Sequence, residues 1–230
     1  MAVAVNTIIA NVREILLDPA GVRWTTTELV GWLNSGQNDI VARKPDASAT
    51  NARVLLVQGT RQTLPTAGQR LLDVVRNTNS DGTEPGRAIR LVDRSEIDAA
   101  YPRWHSPDVS GGARHGSEVK NYSYSENDPR TYYVFPGVLA ADTVYADVVY
   151  SVTPAAASAG GNISIADYYA EALTNYILYR ACMKESEFGS ADARGQLYLQ
   201  LYLSAVGDDI KIAKTSSPNM RRTGTEGGKS

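Results

Sequence analysis

Val5, Ile8, Ile9, Val12, Ile15 and Leu16 recur at three- and four-residue intervals, the spacing that gathers apolar side chains on one face of a helix. Asp18 and Pro19 stop the pattern. A second helix follows in WTTTELVGWLNSGQNDIVARKP. Thr25 and Glu28 stand at capping-box spacing, Leu29, Trp32, Leu33, Ile40 and Val41 supply the apolar face, and Pro45 closes the element. Gly31 and Gly36 lie inside this helix, where each costs about 1 kcal/mol relative to alanine. Either another segment approaches closely there or the glycines are simply tolerated.

From Asn51 to Thr153 the texture changes to short β-branched or tyrosine-rich runs: ARVLLV, RQTL, RLLDVVR, RAIRLVD, KNYSYS, RTYYVF and TVYADVVYSV. Gly, Pro, Asn and Asp punctuate them, which predicts six or seven short strands in a small antiparallel sheet or sandwich. DRSEIDAAYP interrupts the strands as a short helix capped by Asp93, with Glu96 three residues on. The long polar loop HSPDVSGGARHGSE comes next. Loops of this kind are functional or mobile.

TPAAASAGGN, 153–162, reads as a small-residue linker back into helix. In the next helix Tyr169, Leu173, Tyr176, Ile177 and Met183 form one stripe, and Tyr168, Ala172 and Tyr179 a second beside it. That coverage is wide for a single core seam and suits either deep burial or a surface that becomes buried when subunits meet. In the last helix LYLQLYL is nearly continuous in apolar residues, so periodicity does not separate strand from helix, but length and the flanking Ala, Arg and Gln favour helix. After Ala213 the chain turns polar and rich in Gly and Ser, with Lys214, Arg221, Arg222 and Lys229 against Glu226. Such a tail is expected to be disordered in the isolated subunit. The expected fold is therefore α+β. Helices in 1–50 and 163–213 form a bundle, a small antiparallel β-module occupies 51–153, and an extended tail covers 214–230.

The chain has 230 residues, 43% hydrophobic and 21% charged, enough for a real core in one domain or two small ones. A formal net charge of −2 gives no general affinity for nucleic acid, although a local patch stays open. Cys182 is the only cysteine, which excludes an intramolecular disulfide and a cysteine-rich metal site and points to synthesis in a reducing cytoplasm. The apolar N-terminus lacks a basic n-region, so it reads as helix, not as a signal peptide. No apolar run approaches the roughly 20 residues that span a bilayer. The chain reads as soluble.

Candidate chemistry is sparse. His105 and His115 are the only histidines, too few for the common zinc sites, and no metal or cofactor is expected. Asp108, Ser110 and His115 are the residue types of a serine nucleophile and its partners, but no G-x-S-x-G elbow accompanies them, so a solvated loop is the simpler reading. NTNSDG begins like a calcium loop, yet its twelfth position is Ala88, and Asp81 and Gly82 more simply make a hairpin turn. Tyr and Arg interleave in KNYSYSENDPRTYYVF, as a base-stacking platform or as ordinary cross-strand pairs. No reaction centre emerges, which is the texture of an assembly component and not of an enzyme.

WTTTELVGWLNSGQNDIVARKPDA, RQTLPTAGQRLLDVVRN, YYVFPG and YYAEALTNYILYRACMKES, in that order, resemble the head-to-tail adaptor proteins of short-tailed bacteriophages. The likeness runs from about Val5 to Asp209. It implies a virion protein at the head-to-tail junction, in a homo-oligomeric, typically dodecameric ring under the portal protein, with the tail nozzle protein bound below. Double-stranded DNA would pass through without specific binding, and no membrane would be involved. On that reading Tyr168, Tyr179, Tyr198 and Tyr202 are expected at subunit contacts, while Tyr176 and Leu201 are expected in the bundle core. The tail is expected to dock on the portal through Pro218, Met220, Arg221 and Arg222, with DNA contact or a dispensable end as alternatives. The runner-up function is a β-rich receptor- or glycan-binding tail module, and a cell-wall hydrolase is third.

Overall fold

The structure is a computed structural model and describes residues 3–108, 114–185 and 189–216. Among these, five α-helices and eight strands divide between two compact units. Met1–Ala47 with Pro154–Ser230 make the helical unit, and Ser48–Thr153 make the β-rich one. The fold is mixed α+β, with the strands inserted between helices.

In the helical unit α1 spans Val5–Ile15 and α2 spans Thr26–Arg43. Helix α4 spans Ala170–Lys184 and α5 spans Gly189–Ser216. The apolar spacing of α1 does what it predicts: Val5, Ile8, Ile9 and Val12 are buried together with Leu29, Leu33 and Ile40 of α2 and Leu173, Ile177 and Leu178 of α4. Thr25 caps α2 by accepting from the Glu28 backbone amide at 3.3 Å. The Glu28 carboxylate does not complete the capping box. It takes Lys184 Nζ of α4 at 2.6 Å instead, so one residue serves the start of one helix and the end of another.

The two glycines of α2 have different reasons. A Cβ at Gly36 would lie 3.0 Å from both Leu173 Cδ2 and Tyr176 Cδ1, so this glycine admits α4 at close range. At Gly31 nothing lies within 4 Å. The linker after Thr153 is held by amide side chains. Asn34 donates to the Ala157 carbonyl at 3.1 Å and accepts from the Ala157 amide at 2.8 Å, and Gln37, 1% exposed, accepts from the Ser164 amide at 2.7 Å. These bonds satisfy main-chain groups that lack regular structure.

Two four-stranded sheets make the β-rich unit. The first has β1 (Ala49–Leu55), β8 (Tyr145–Val152), β3 (Gly68–Thr78) and β4 (Pro85–Ala88) in that spatial order. In the second the order is β2 (Gly59–Thr63), β7 (Thr131–Val138), β6 (Asn121–Tyr124) and β5 (Arg90–Leu91). All pairings are antiparallel except β5 with β6, so the second sheet is mixed and not purely antiparallel as expected. RAIRLVD is two strands and not one. The Ile89 amide donates to Val75 of the first sheet and the Arg90 amide to Lys120 of the second, so the chain changes sheet between them while the Ile89 side chain stays buried. Leu71, Val74 and Val148 of one sheet and Tyr122, Tyr132 and Val134 of the other share one core. Helix α3, Arg94–Ala100, is capped by Asp93, whose carboxylate accepts from the Ser95 amide at 2.8 Å. It covers a smaller cluster of Ile97, Trp104 and Phe135. The NTNSDG segment is the β3–β4 turn, with Gly82 at φ +80° and Asp81 accepting from Thr83.

Helix α5 carries the chain to Ser216, so Lys214, Thr215 and Ser216 are helical and not part of an extended tail. Pro218, Met220, Arg221 and Arg222 lie outside the described residues, as does Ser110.

Candidate functional site

Among the described residues, the predicted subunit-contact residues fall on α4, on α5 and on the short 3-10 turn Asp167–Tyr169 that leads into α4, and their burial sorts them. Tyr202 is 1% exposed. Its hydroxyl donates to Asp39 Oδ2 at 2.5 Å, and its ring meets Tyr176 edge-on at 5.2 Å between centroids. It therefore faces its own bundle. Burial opposes ionisation of Asp39, but the hydrogen bonds from Arg43 and Tyr202 outweigh it and hold the carboxyl below its ordinary value. The same burial and the bond to Asp39 raise the Tyr202 phenol. Tyr176, expected in the core, is only partly buried at its edge, beside Gly36.

Leu201 corrects the expectation for α5, for it is 45% exposed. At 3.6 residues per turn Tyr202 and Val206 fall on one side of α5, while Leu197 and Leu201, roughly 100–140° around the helix from Tyr202, fall one turn apart on an adjoining exposed face. Leu197 is 53% exposed, and Ala193 and Ala205 extend the same exposed face. A helix inside a monomeric bundle carries polar residues there. Tyr198 sits on the flank, half-buried, where Arg194 bonds to its hydroxyl.

A separate surface forms where α2 and α4 run together. Trp32, Tyr179, Arg180, Met183 and Lys184 line an open groove of about 400 Å³. Two of these lining residues meet the buried Trp24, Trp32 at 5.7 Å between ring centroids and Lys184 Nζ at 5.0 Å from its ring centroid, with the Arg23 guanidinium 5.6 Å from the same ring. Arg23 Nε also pairs with Glu185 at 2.9 Å. Tyr179 thus lies at a concave face with an apolar wall and a basic rim. Tyr168 is 62% exposed, its ring against that of Tyr169, which is buried.

Among the described residues of the β-rich unit no comparable surface assembles. His115 is not a solvated loop residue. It is 3% exposed, its Nε2 donates to the Trp104 carbonyl at 3.1 Å, and its ring lies so near Gly137 that a Cβ there would come within 2.7 Å of it. Asp108 is exposed, and no partner joins it to His115 among the described residues. His105 stacks on Trp104 and contacts Thr60 Oγ1 through Nδ1 at 2.7 Å. Burial, then Arg94, lower its pKa. Tyr122 and Tyr132 are buried, so they serve the core and offer no platform for bases. Among the described residues no group of His, Cys, Asp or Glu is placed to hold a metal ion, and no helix is long and apolar enough to cross a membrane.

A two-unit chain whose distinctive surfaces are an exposed leucine face and an aromatic groove belongs to the class of structural assembly proteins. The family model for SU10 adaptor protein matches residues 4–223, and the chain belongs to that family. It is a phage adaptor, a structural component of the virion. No curated protein matches it.

Proposed function

We propose that this adaptor forms a homo-oligomeric ring, typically dodecameric, at the head-to-tail junction, between the portal protein and the tail nozzle protein. The observation that carries the reading is that one subunit presents two unlike faces: the exposed Leu197/Leu201 face of α5 and the mixed aromatic and basic groove of α2 and α4 that holds Tyr179. A closed ring is built from heterologous contacts, in which each copy uses two unlike patches. Tyr179 lines the groove, Tyr198 flanks the α5 face and Tyr168 is exposed ahead of α4; these three take part in subunit contacts, and Leu197 and Leu201 take the place of Tyr202. With a formal charge of −2 per subunit, the ring makes few phosphate contacts and lets DNA pass.

Pro218, Met220, Arg221 and Arg222 supply the portal anchor. Proline favours an extended path, methionine fills an apolar groove, and the two arginines make bidentate bonds to carboxylates.

The test mixes the purified adaptor with portal rings and follows mass by size-exclusion chromatography with light scattering. The free protein is expected to run as a monomer or weak oligomer and to load onto the portal as a ring. The Leu197→Asp/Leu201→Asp variant is expected to keep its melting temperature and lose the ring, and truncation after Ser216 is expected to lose the portal. Portal rings that elute unchanged after mixing with the wild-type chain would remove the main support for this function.

A further inference from the structure

The outer strands of the two sheets are β1 and β4 in one and β2 and β5 in the other, and they are not equally protected. β4 is short, begins with Pro85, and meets β3 through a register shift. β5 is only Arg90–Leu91, and the pairing of β2 with β7 slips between Gly59 and Arg61. Short length, proline and broken register are devices that keep one sheet edge from joining another. β1 has none of them. From Ala49 to Leu55 it holds an unbroken register with β8 and contains no proline, glycine or lysine. Among the described residues no strand pairs with its outer side. Arg53, the charge on this strand, does not guard the edge. Its guanidinium lies 5.6 Å from the Tyr145 ring centroid on β8, and a Cβ on Gly82 of the β3–β4 turn would meet its Nη1 at 3.4 Å.

The ladder also fixes which main-chain groups the open edge offers. The Leu56 amide donates to the Val144 carbonyl at 2.9 Å, one rung beyond the end of β1. Bonded and non-bonded pairs alternate in an antiparallel ladder, so Val54, Ala52 and Thr50 spend their main-chain groups on β8. Leu55, Arg53, Asn51 and Ala49 aim theirs outward. Burial follows the same alternation. The outward-bonding residues have exposed side chains, whereas Thr50, Ala52 and Val54 are half-buried beside the fully covered Tyr150, Val148 and Ala146 of β8.

We infer that in the free protein this edge pairs with the same edge of a second copy, antiparallel about a two-fold axis at Ala52. The other outer strands are blunted, so the strand fit to receive β1 is β1 itself. With the axis at Ala52, Asn51 bonds with the partner's Arg53 and Ala49 with the partner's Leu55, which satisfies every outward main-chain group of the strand. Arg53 then stands opposite asparagine, and no like charges meet. An axis at Arg53 would set the two arginines against each other, and one at Asn51 would leave Leu55 without a strand partner. On the inner face Thr50 meets the partner's Val54, and both half-buried rows become covered. A contact that uses one edge on both copies ends assembly at two, so it opens before a ring closes and shields the edge until then. The inference concerns the free chain and stands apart from the adaptor reading.

Size-exclusion chromatography with light scattering, run on the full chain over a concentration series, is expected to show a monomer shifting to a dimer. Asn51→Pro removes an amide that points outward and no bond to β8, so it is expected to keep the wild-type circular dichroism and weaken the dimer at least ~10-fold. Ala52→Cys puts two thiols at facing non-bonded positions on the axis, with Cα atoms about 4.5 Å apart, and is expected to give one crosslinked species on mild oxidation. The natural Cys182 is buried and does not compete. A wild-type chain that stays monomeric throughout, or a dimer that Asn51→Pro leaves intact and Ala52→Cys does not crosslink, would overturn the pairing. Asn51→Pro is expected to load onto portal rings as the wild type does. A folded variant that no longer loads would put the edge inside the ring and overturn a dimer confined to the free chain.

Discussion

Tyr202 and Asp39, 163 residues apart, are joined by a hydrogen bond from phenol to carboxylate that fastens α5 to α2. The bond lets a tyrosine sit at full depth in an apolar core without an unpaired hydroxyl. Tyr202→Phe keeps the ring and deletes only the bond, so unfolding free energy should fall by about 1.5–3 kcal/mol, the range for a hydrogen bond to a charged group. Leu201→Ala, one residue earlier and turned about 100° away onto an exposed face, should stay within about 0.5 kcal/mol of wild type. Urea unfolding of both variants measures the difference. Equal losses would mean that the α5 leucines are as deeply packed as the tyrosine.

Acid should act through the same pair. The Asp39 carboxyl is held below its ordinary value of 3.8. Its contribution to stability is therefore complete above that value and is lost as pH falls through the lower, folded one. Between about pH 5 and pH 2 the wild type should lose stability more steeply than Asp39→Asn. Denaturation midpoints measured across that window provide the check, and parallel slopes would show that Asp39 is not linked to folding.

The glycines of α2 should respond in opposite directions. At Gly31 a methyl meets open space, so Gly31→Ala should stabilise by about 0.5–1 kcal/mol through helix propensity alone. Gly36→Val places branched carbons against Leu173 and Tyr176, already 3.0 Å from a Cβ, and should destabilise by about 1–3 kcal/mol. Thermal melts separate the two. Stabilisation at both sites would remove the case for close helix approach.

His115 and Gly137 should be energetically coupled. Gly137→Ala drives a methyl into the imidazole, whereas His115→Ala opens the space the methyl needs. The alanine at 137 should therefore cost less in the His115→Ala background, with a coupling of about 0.5–3 kcal/mol in a double-mutant cycle. Additive effects would place the two residues out of contact.

What the sequence reveals of this molecule follows from the kind of signal each part carries. Val5 to Val12 announce α1 because one narrow apolar stripe serves one core, and Thr25 announces the start of α2 because a side-chain oxygen is needed for free amides. The helical state of LYLQLYL is legible too, but its orientation is not. In an almost unbroken apolar run Leu201 and Tyr202 look alike, and only the bond to Asp39 decides which one turns inward. The break in RAIRLVD is hidden for a related reason, since the run from Ala88 to Val92 holds no Gly, Pro or Asn to mark an interruption and reads as a single strand would. The exit to the second sheet is set by main-chain partners contributed from distant sequence, Val75 and Lys120. His115 is misread as solvated because burial by Trp104 and Gly137 leaves no local trace. The left-handed turn at Leu17 is likewise invisible in composition. A leucine after a helix becomes informative only when its φ and its exposure are known together.

The register of β1 with β8 sets Ala49 opposite Ser151, so the chain leaves the helical unit and returns to it on neighbouring rungs of one ladder. Adjacent strands lie about 5 Å apart, a gap that a tight turn can close. The helical unit thus makes a single geometric demand on what is spliced between Ala47 and Pro154: that its two ends meet. Strands and turns of the β-rich unit that lie away from β1 and β8 can therefore lengthen or shorten without moving the two points at which the chain leaves and re-enters the helical unit.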